Sequence, residues 1–190
     1  TQNQSSAASD VYKRQIRTFA LLIFIGVFSM FILLLDKEAG DPVNLDRTRS
    51  AIPEFNLDSL NRDFPVTSQF FSELEKDTIV VMNVWASWCI SCAIEHPFLM
   101  ELESAVNLIG LNYKDDRDDA KNWLLAKGDP YEFSIHDPNG TFALDLGVSG
   151  APETFLIVNN EVVLHYVGIV NQDIWMNYFD PMVQEIFDKK

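Results

Sequence analysis

The sequence predicts an α/β fold, a mixed β-sheet flanked by helices and preceded by one N-terminal transmembrane helix. Three observations lead there. Short β-branched apolar runs alternate with stretches of helical period, in the order β-α-β-α and then β-β-α, the order of a mixed sheet covered on both faces. An uncharged stretch from Thr18 to Leu35 is 18 residues long, which at about 1.5 Å per residue nearly crosses the hydrocarbon layer of a bilayer. The chain's two cysteines sit together in Trp88-Cys89-Ile90-Ser91-Cys92, directly after one of the apolar runs.

Taken in order, Thr1 to Tyr12 is polar and lacks a starting Met, so it reads as an incomplete or non-native start to which no function is assigned. Lys13, Arg14 and Arg17 precede the apolar run, and Asp36, Lys37 and Glu38 follow it. The positive-inside rule then puts the N-terminus in the cytoplasm and the bulk of the chain across the membrane. A cleaved signal peptide shares the basic start and apolar centre. Against it, the run is long for a signal core, and Leu33-Leu34-Leu35 ends it without a small-residue cleavage pattern. Asp36 to Ile52 is charged, contains Gly40 and Pro42, and reads as a linker.

Ile79 to Trp85 is short, apolar and β-branched, the pattern of a central strand. Cys92 to Leu108 reads as a helix with Phe98, Leu99, Leu102 and Val106 on one face and a kink expected at Pro97. Leu108 to Tyr113 is a second strand. Asp116 to Lys127 is a helix with Ala120, Trp123, Leu124 and Leu125 inward, ended by Gly128 and Pro130. Phe133 to His136 is a strand, Pro138-Asn139-Gly140 a turn, and Thr141 to Leu146 a helical turn. Asn159-Asn160 joins Thr154–Val158 to Glu161–Val167 as an antiparallel hairpin. An amphipathic helix over Gln172 to Phe187, carrying Ile174, Trp175, Tyr178 and Phe179, closes the chain.

Without the apolar segment about 140–150 residues remain, the size of one domain. A hydrophobic content of 47% suffices for one core, and a net charge of −14 argues against nucleic acid, which needs clustered Lys and Arg.

The chemistry centres on Cys89 and Cys92. A strand feeding a turn and a helix puts Cys89 at the helix start, where unpartnered amides favour a thiolate, and brings Cys92 to the same face within disulfide reach. A structural zinc site needs about four ligands, and only His96 lies near. A permanent bridge across so short a loop restrains the unfolded chain little. A reversible redox switch is the leading reading: Cys89 attacks a substrate disulfide and Cys92 resolves the mixed disulfide. Pro152, after Gly150-Ala151 and before a strand, is either a cis proline that presents backbone groups to substrate or an ordinary trans proline at a strand start. Glu95 and Glu153 are each a surface charge or, if they approach the dithiol, groups that raise its pKa and carry protons. Asn83 and Trp88 are expected to shape the floor and flank of the site. His96, His136 and His165 read as structural or surface residues.

These residues resemble the thioredoxin superfamily and, within it, the CcmG/DsbE-type periplasmic thiol:disulfide reductases of cytochrome c maturation. The resemblance runs from about Pro42 to the last helix. It is carried by Asn83-Val84-Trp85-Ala86-Ser87-Trp88-Cys89, Ser91-Cys92, Glu95-His96, Leu111-Asn112-Tyr113-Lys114-Asp115-Asp116-Arg117, Leu144-Asp145-Leu146-Gly147-Val148 and Gly150-Ala151-Pro152-Glu153-Thr154-Phe155-Leu156-Ile157. It implies a division into residues 1–15 as a short cytoplasmic tail, 16–35 as the transmembrane anchor, 36–52 as linker and 53–190 as a thioredoxin-like domain. It further implies a single-pass protein of the bacterial inner membrane, with its catalytic domain in the periplasm.

The implied task is reduction of the disulfide in the haem-binding Cys-x-x-Cys-His motif of apocytochrome c, directly or through haem-lyase maturation proteins. Electrons would come from a DsbD/CcdA-type membrane donor, and no cofactor is implied. By position Cys89 matches the nucleophile, Cys92 the resolving thiol, Pro152 the cis proline, and Glu95 and Glu153 the acidic pair. Two residues depart from the pattern: Ile90 stands where proline is usual, and Ser149 where an aromatic residue is common. The competing functions are a general TlpA/ResA-like thiol reductase and a copper-binding thiol chaperone. A strong oxidase is disfavoured by two nearby carboxylates, because thiolate stabilisation is what makes an oxidant.

Overall fold

The computed structural model describes residues 15, 17–31, 45–46, 49–102 and 106–188. It comprises two units, Thr1–Val43 and Asn44–Lys190. In the first, residues 17–31 form helix α1. Its large apolar side chains are 52% to 68% exposed, and Phe24 stacks on Phe28 at 6.0 Å. Among the described residues no helix is long and apolar enough to cross a membrane. The expected anchor continues to Leu35, and residues 32–35 lie outside the described residues, as do residues 1–14 of the tail and 36–44 of the linker.

The second unit is built on a mixed sheet. Its central strand β5 is Ile79–Trp85, and all seven residues are buried, as a strand covered on both faces must be. Ile79, Val81 and Trp85 enter one core with Cys89, Cys92 and Leu99. Val80, Met82 and Val84 enter a second core with Phe71, Phe133 and Phe142 on the other face. On one side β5 pairs in parallel with β6 (Asn107–Tyr113), which pairs in parallel with β7 (Ser134–Asp137). On the other it pairs antiparallel with β8 (Glu153–Val158), and β8 with β9 (Glu161–Val167), through a turn in which Asn159 and Asn160 both have positive φ. The expected hairpin is thus present.

Two short strands occupy the stretch expected to be linker. Leu45–Asp46 (β1) and Ser50–Ala51 (β2) pair antiparallel with β9, so the sheet begins before residue 53. Asn56–Leu57 (β3) and Val66–Thr67 (β4) form a separate two-stranded ribbon, followed by the short helix α2 (Gln69–Ser72).

Helix α3 spans Ile90–Leu102 and passes through Pro97 as one element. It starts two residues earlier than expected and ends sooner, so Val106 lies in the connection to β6 and not on a helical face. Helix α4 (Arg117–Lys127) is capped by Asp116, whose carboxylate accepts from the Asp118 and Asp119 amides. Leu125 on α4 points outward at 83% exposure, contrary to expectation, while Ala120 and Leu124 are buried. Helix α5 is Thr141–Asp145.

The closing helix is interrupted. After α6 (Gln172–Ile174) comes a π-turn, Trp175–Phe179, before α7 (Asp180–Asp188). Pro181 has no amide to donate to the carbonyl one turn back, and the Asp180 amide closes a wide turn onto Trp175 O instead. Gly110 on β6 is required by close approach, since a Cβ there would lie 2.6 Å from Trp85 Nε1 and closer still to Ser134 Oγ.

Candidate active site

β5 ends at Trp85, and the chain turns through Ala86-Ser87-Trp88 into α3. Cys89 N donates to Ala86 O at 3.1 Å, and Cys89 O accepts from Ala93 N at 3.3 Å, which makes Cys89 the entry residue of the helix. Cys89 and Cys92 are joined as a disulfide with Cα atoms 5.3 Å apart. The Cys92 amide points at Cys89 Sγ, 3.0 Å away. An N–H so placed favours negative charge on that sulfur, the effect expected of a helix N-terminus. Both cysteines are buried, Cys89 at 5% exposure and Cys92 at 2%, while Trp88 beside them is 55% exposed and Ile90 81%. The Trp88 indole is tied down nonetheless, its Nε1 donating to Lys114 O at 2.9 Å.

The Ala151–Pro152 peptide is cis. Register places it, because Val84 pairs with Glu153 in antiparallel β5 and β8, so Pro152 falls opposite the end of β5 from which the dithiol turn departs. Pro152 O accepts from Gly168 N at 3.0 Å.

The two acidic residues do not form one cluster. Asn83 alternates with Val81 and Trp85 and so faces α3, where its Nδ2 donates to Glu95 Oε1 at 2.8 Å. Val170 N donates to Glu95 Oε2 at 3.0 Å. Asn83 is itself oriented by the buried Tyr131 hydroxyl, which donates to Asn83 Oδ1 at 2.7 Å, and its Nδ2 also reaches Thr154 Oγ1 at 3.2 Å. Glu95 is 1% exposed. Burial pushes its carboxyl up from the usual 4.5 to about 7, against the opposing pull of the Val170 amide and Asn83. Burial likewise raises the Tyr131 phenol well above its usual value, helped by the charges of Glu95 and Asp129.

Glu153 pairs with Val84, whose side chain belongs to the opposite face of the sheet, and is fully buried there. Its Oε1 accepts from Ser149 N at 2.8 Å, Ser149 Oγ at 2.5 Å and Gly150 N at 2.9 Å. Its Oε2 accepts from His165 Nε2 at 2.6 Å. Burial alone would raise this carboxyl; the bonds from His165, Ser149 and Gly150 outweigh it and hold it below the usual value. Glu153 thus clamps the loop that leads into Pro152, and Ser149 supplies two of the clamp's four bonds.

Several contributors carry no signal in the sequence pattern. His165, read as structural or surface, both bonds Glu153 and stacks on Phe155 at 4.1 Å. Asp115 accepts four hydrogen bonds, two of them from Ser87. His136 Nδ1 faces Asn112 Oδ1 at 2.9 Å, a pairing that needs the proton on Nδ1, and burial lowers this imidazole's pKa. His96 is buried with its ring edge against Trp123 at 4.6 Å, and burial lowers its pKa as well. Among the described residues no group of three or more His, Cys, Asp and Glu side chains is placed to hold a metal ion.

A dithiol at a helix N-terminus, on a mixed sheet with a cis proline at the same end, defines a thiol:disulfide oxidoreductase of the thioredoxin fold. Residues 47–173 match the redoxin family. The chain is 36% identical over 178 residues to the thiol:disulfide interchange protein DsbE of Escherichia coli K12, covering 90% of this chain and 94% of that protein. It is 41% identical over 172 residues to the DsbE of Vibrio cholerae, covering 88% and 91%. The chain belongs to the DsbE family of thiol:disulfide interchange proteins, within the redoxins.

The fold recurs in a secreted thiol-disulfide isomerase from Corynebacterium glutamicum, with a TM-score of 0.61 at 24% identity over 76% of this chain and 95% of that one. A DsbF homologue from Corynebacterium diphtheriae gives a TM-score of 0.60 at 24% identity, over 75% and 94%.

Proposed function

We propose that this oxidoreductase is a membrane-anchored periplasmic reductant that keeps the haem-binding Cys-x-x-Cys-His motif of apocytochrome c reduced during cytochrome c maturation. The single observation that carries the direction of electron flow is the buried Glu95 carboxyl, held by Asn83 and the Val170 amide on the sheet face that also packs both sulfurs. A negative charge on that face opposes a strongly stabilised thiolate, and a weakly stabilised thiolate belongs to a reductant.

In the reduced protein the Cys89 thiolate attacks one sulfur of the substrate disulfide. A Cys89–substrate bond forms, the substrate S–S bond breaks, and the departing thiolate takes a proton. Cys92 then loses its proton to Glu95 and attacks Cys89 Sγ. The mixed disulfide breaks, the second substrate sulfur takes a proton and the substrate leaves with two thiols, while the enzyme, having given up two electrons, is left with the Cys89–Cys92 disulfide. Asn83 holds Glu95 in place, Trp88 flanks the sulfurs, and the cis Ala151–Pro152 segment, its loop clamped by Glu153, lies against the substrate chain. Re-reduction falls to a DsbD/CcdA-type membrane thiol donor, and haem-lyase maturation proteins are the other partners.

Support for the anchor comes from the uncharged run Thr18 to Leu35, the basic residues before it, and the exposed apolar side chains of α1. The deciding experiment is trapping in cells: Cys92→Ser is expected to accumulate a mixed disulfide with apocytochrome c or a haem-lyase component, and Cys89→Ser none. Captured proteins without Cys-x-x-Cys-His motifs or haem-lyase function, together with normal holocytochrome c in a deletion strain, would replace this reading with a general TlpA/ResA-like reductase.

A further inference from the structure

We propose that Asp115 is the positioning residue of the dithiol: its carboxylate pins the turn between β5 and α3 and so holds Cys89 in register with Cys92. The inference holds whichever disulfide the protein serves.

Asp115 lies in the connection between β6 and α4 and is 8% exposed. Its Oδ2 accepts from the Ser87 amide at 2.6 Å and from Asn112 Nδ2 at 2.8 Å. Its Oδ1 accepts from Ser87 Oγ at 2.7 Å and from the Asp116 amide at 3.0 Å. Three of the four groups facing this side chain are N–H donors and the fourth is the Ser87 hydroxyl, so a carboxylate fits and an amide would turn an NH2 against at least one N–H. Asn112 is held in the required orientation by His136 Nδ1 on its Oδ1 at 2.9 Å.

The second tether is one residue along. Trp88 Nε1 donates to Lys114 O at 2.9 Å, from a backbone bent through a positive φ of 47° at Lys114. Lys114 N in turn donates to Asp137 O at the end of β7 at 2.9 Å. Both residues immediately before Cys89 are therefore fastened to a single loop, which is anchored in two strands of the sheet.

Disulfide formation within one chain is governed by the effective concentration of one sulfur at the other, which a fixed turn raises. Loosening the turn lowers it. Removing a negative charge from the loop beside the turn also eases the thiolate of the reduced pair. Both effects favour the reduced form, so the sign of the outcome is fixed.

The test equilibrates the full chain with glutathione redox buffers and reads the dithiol fraction by alkylation. Asp115→Asn is expected to lower the equilibrium constant for disulfide formation at least about fivefold, and Ser87→Ala, which loses Oγ but keeps the amide, about twofold. Ser59→Ala is the stability control. It removes a hydroxyl that bonds Asn61, Arg62 and Ser134, and it is expected to lower Tm with the constant unchanged. Wild-type constants in both Asp115→Asn and Ser87→Ala would overturn the proposal, as would a shift in Ser59→Ala equal to that of Asp115→Asn. Should Asp115→Asn fail to fold, an unchanged constant in Ser87→Ala overturns it alone.

Discussion

Glu95 and Glu153 are both carboxylates sealed within the sheet's two cores, yet they sit on opposite faces and are held in different ways. Glu95 has two neutral donors, Asn83 and the Val170 amide, which do not match the penalty of burial, and its proton is exchangeable near neutrality. Glu153 has four bonds, one from His165, and stays ionised below the usual carboxylate range. Donor count separates a carboxyl that keeps its proton toward neutrality from one held ionised, where residue type and burial do not.

The sharpest way to break this contrast is Glu153→Gln. An amide cannot accept from the Ser149–Gly150 loop and from His165 together, so the variant should lose about 2–4 kcal/mol in urea unfolding. A loss below about 1 kcal/mol would show that the loop stands without its clamp. Glu95→Gln acts through pH. The folded carboxyl keeps its proton up to about 7 while the unfolded one gives it up near 4.5, so the unfolded chain binds fewer protons in that window and wild-type stability falls as pH rises through it. Glu95 by itself contributes a fall on the order of 3 kcal/mol, which the depressed imidazoles of His96 and His136 partly offset. In Glu95→Gln that fall should be gone, leaving only the rise with pH contributed by the depressed imidazoles of His96 and His136, and a persisting fall would assign it to another group.

Tyr131→Phe is milder. It leaves Asn83 Oδ1 without its donor and should cost about 1 kcal/mol. With Asn83 free to turn, the Glu95 midpoint moves further up, which carboxyl NMR titration would register; a static midpoint would show that Asn83 is held by other means. The smallest effect is expected of Trp88→Phe, which deletes one exposed hydrogen bond to Lys114 and should lower stability by less than about 1 kcal/mol in the same urea assay.

What could be read from the chain follows from how locally each feature is encoded. β5 was legible to the residue because a strand buried on both faces is a continuous apolar run. The Cys89–Cys92 pair was legible because its chemistry spans four consecutive positions. On α4, Trp123, Leu124 and Leu125 are adjacent and therefore about 100° apart around the helix, so all three could not face inward, and Leu125 is the one left out. The end of α3 carried no glycine or proline stop, and Val106 happened to continue the helical spacing. Pro181 marked a break inside the closing helix, and the continuous helix expected over Gln172 to Phe187 passed over it. Polar contacts such as Ser87–Asp115, 28 positions apart, and Glu153–His165, 12 apart, have no period to betray them. The different settings of the two glutamates rest on such contacts, so they emerged only from the folded molecule.

The pairing of β1 and β2 with β9 bears on how the protein can be handled. A fragment trimmed to begin at residue 53 would strip that cover and leave the Glu161–Val167 backbone free to recruit the same strand from another molecule. A fragment meant to stay monomeric should begin ahead of Leu45, with the edge still dressed.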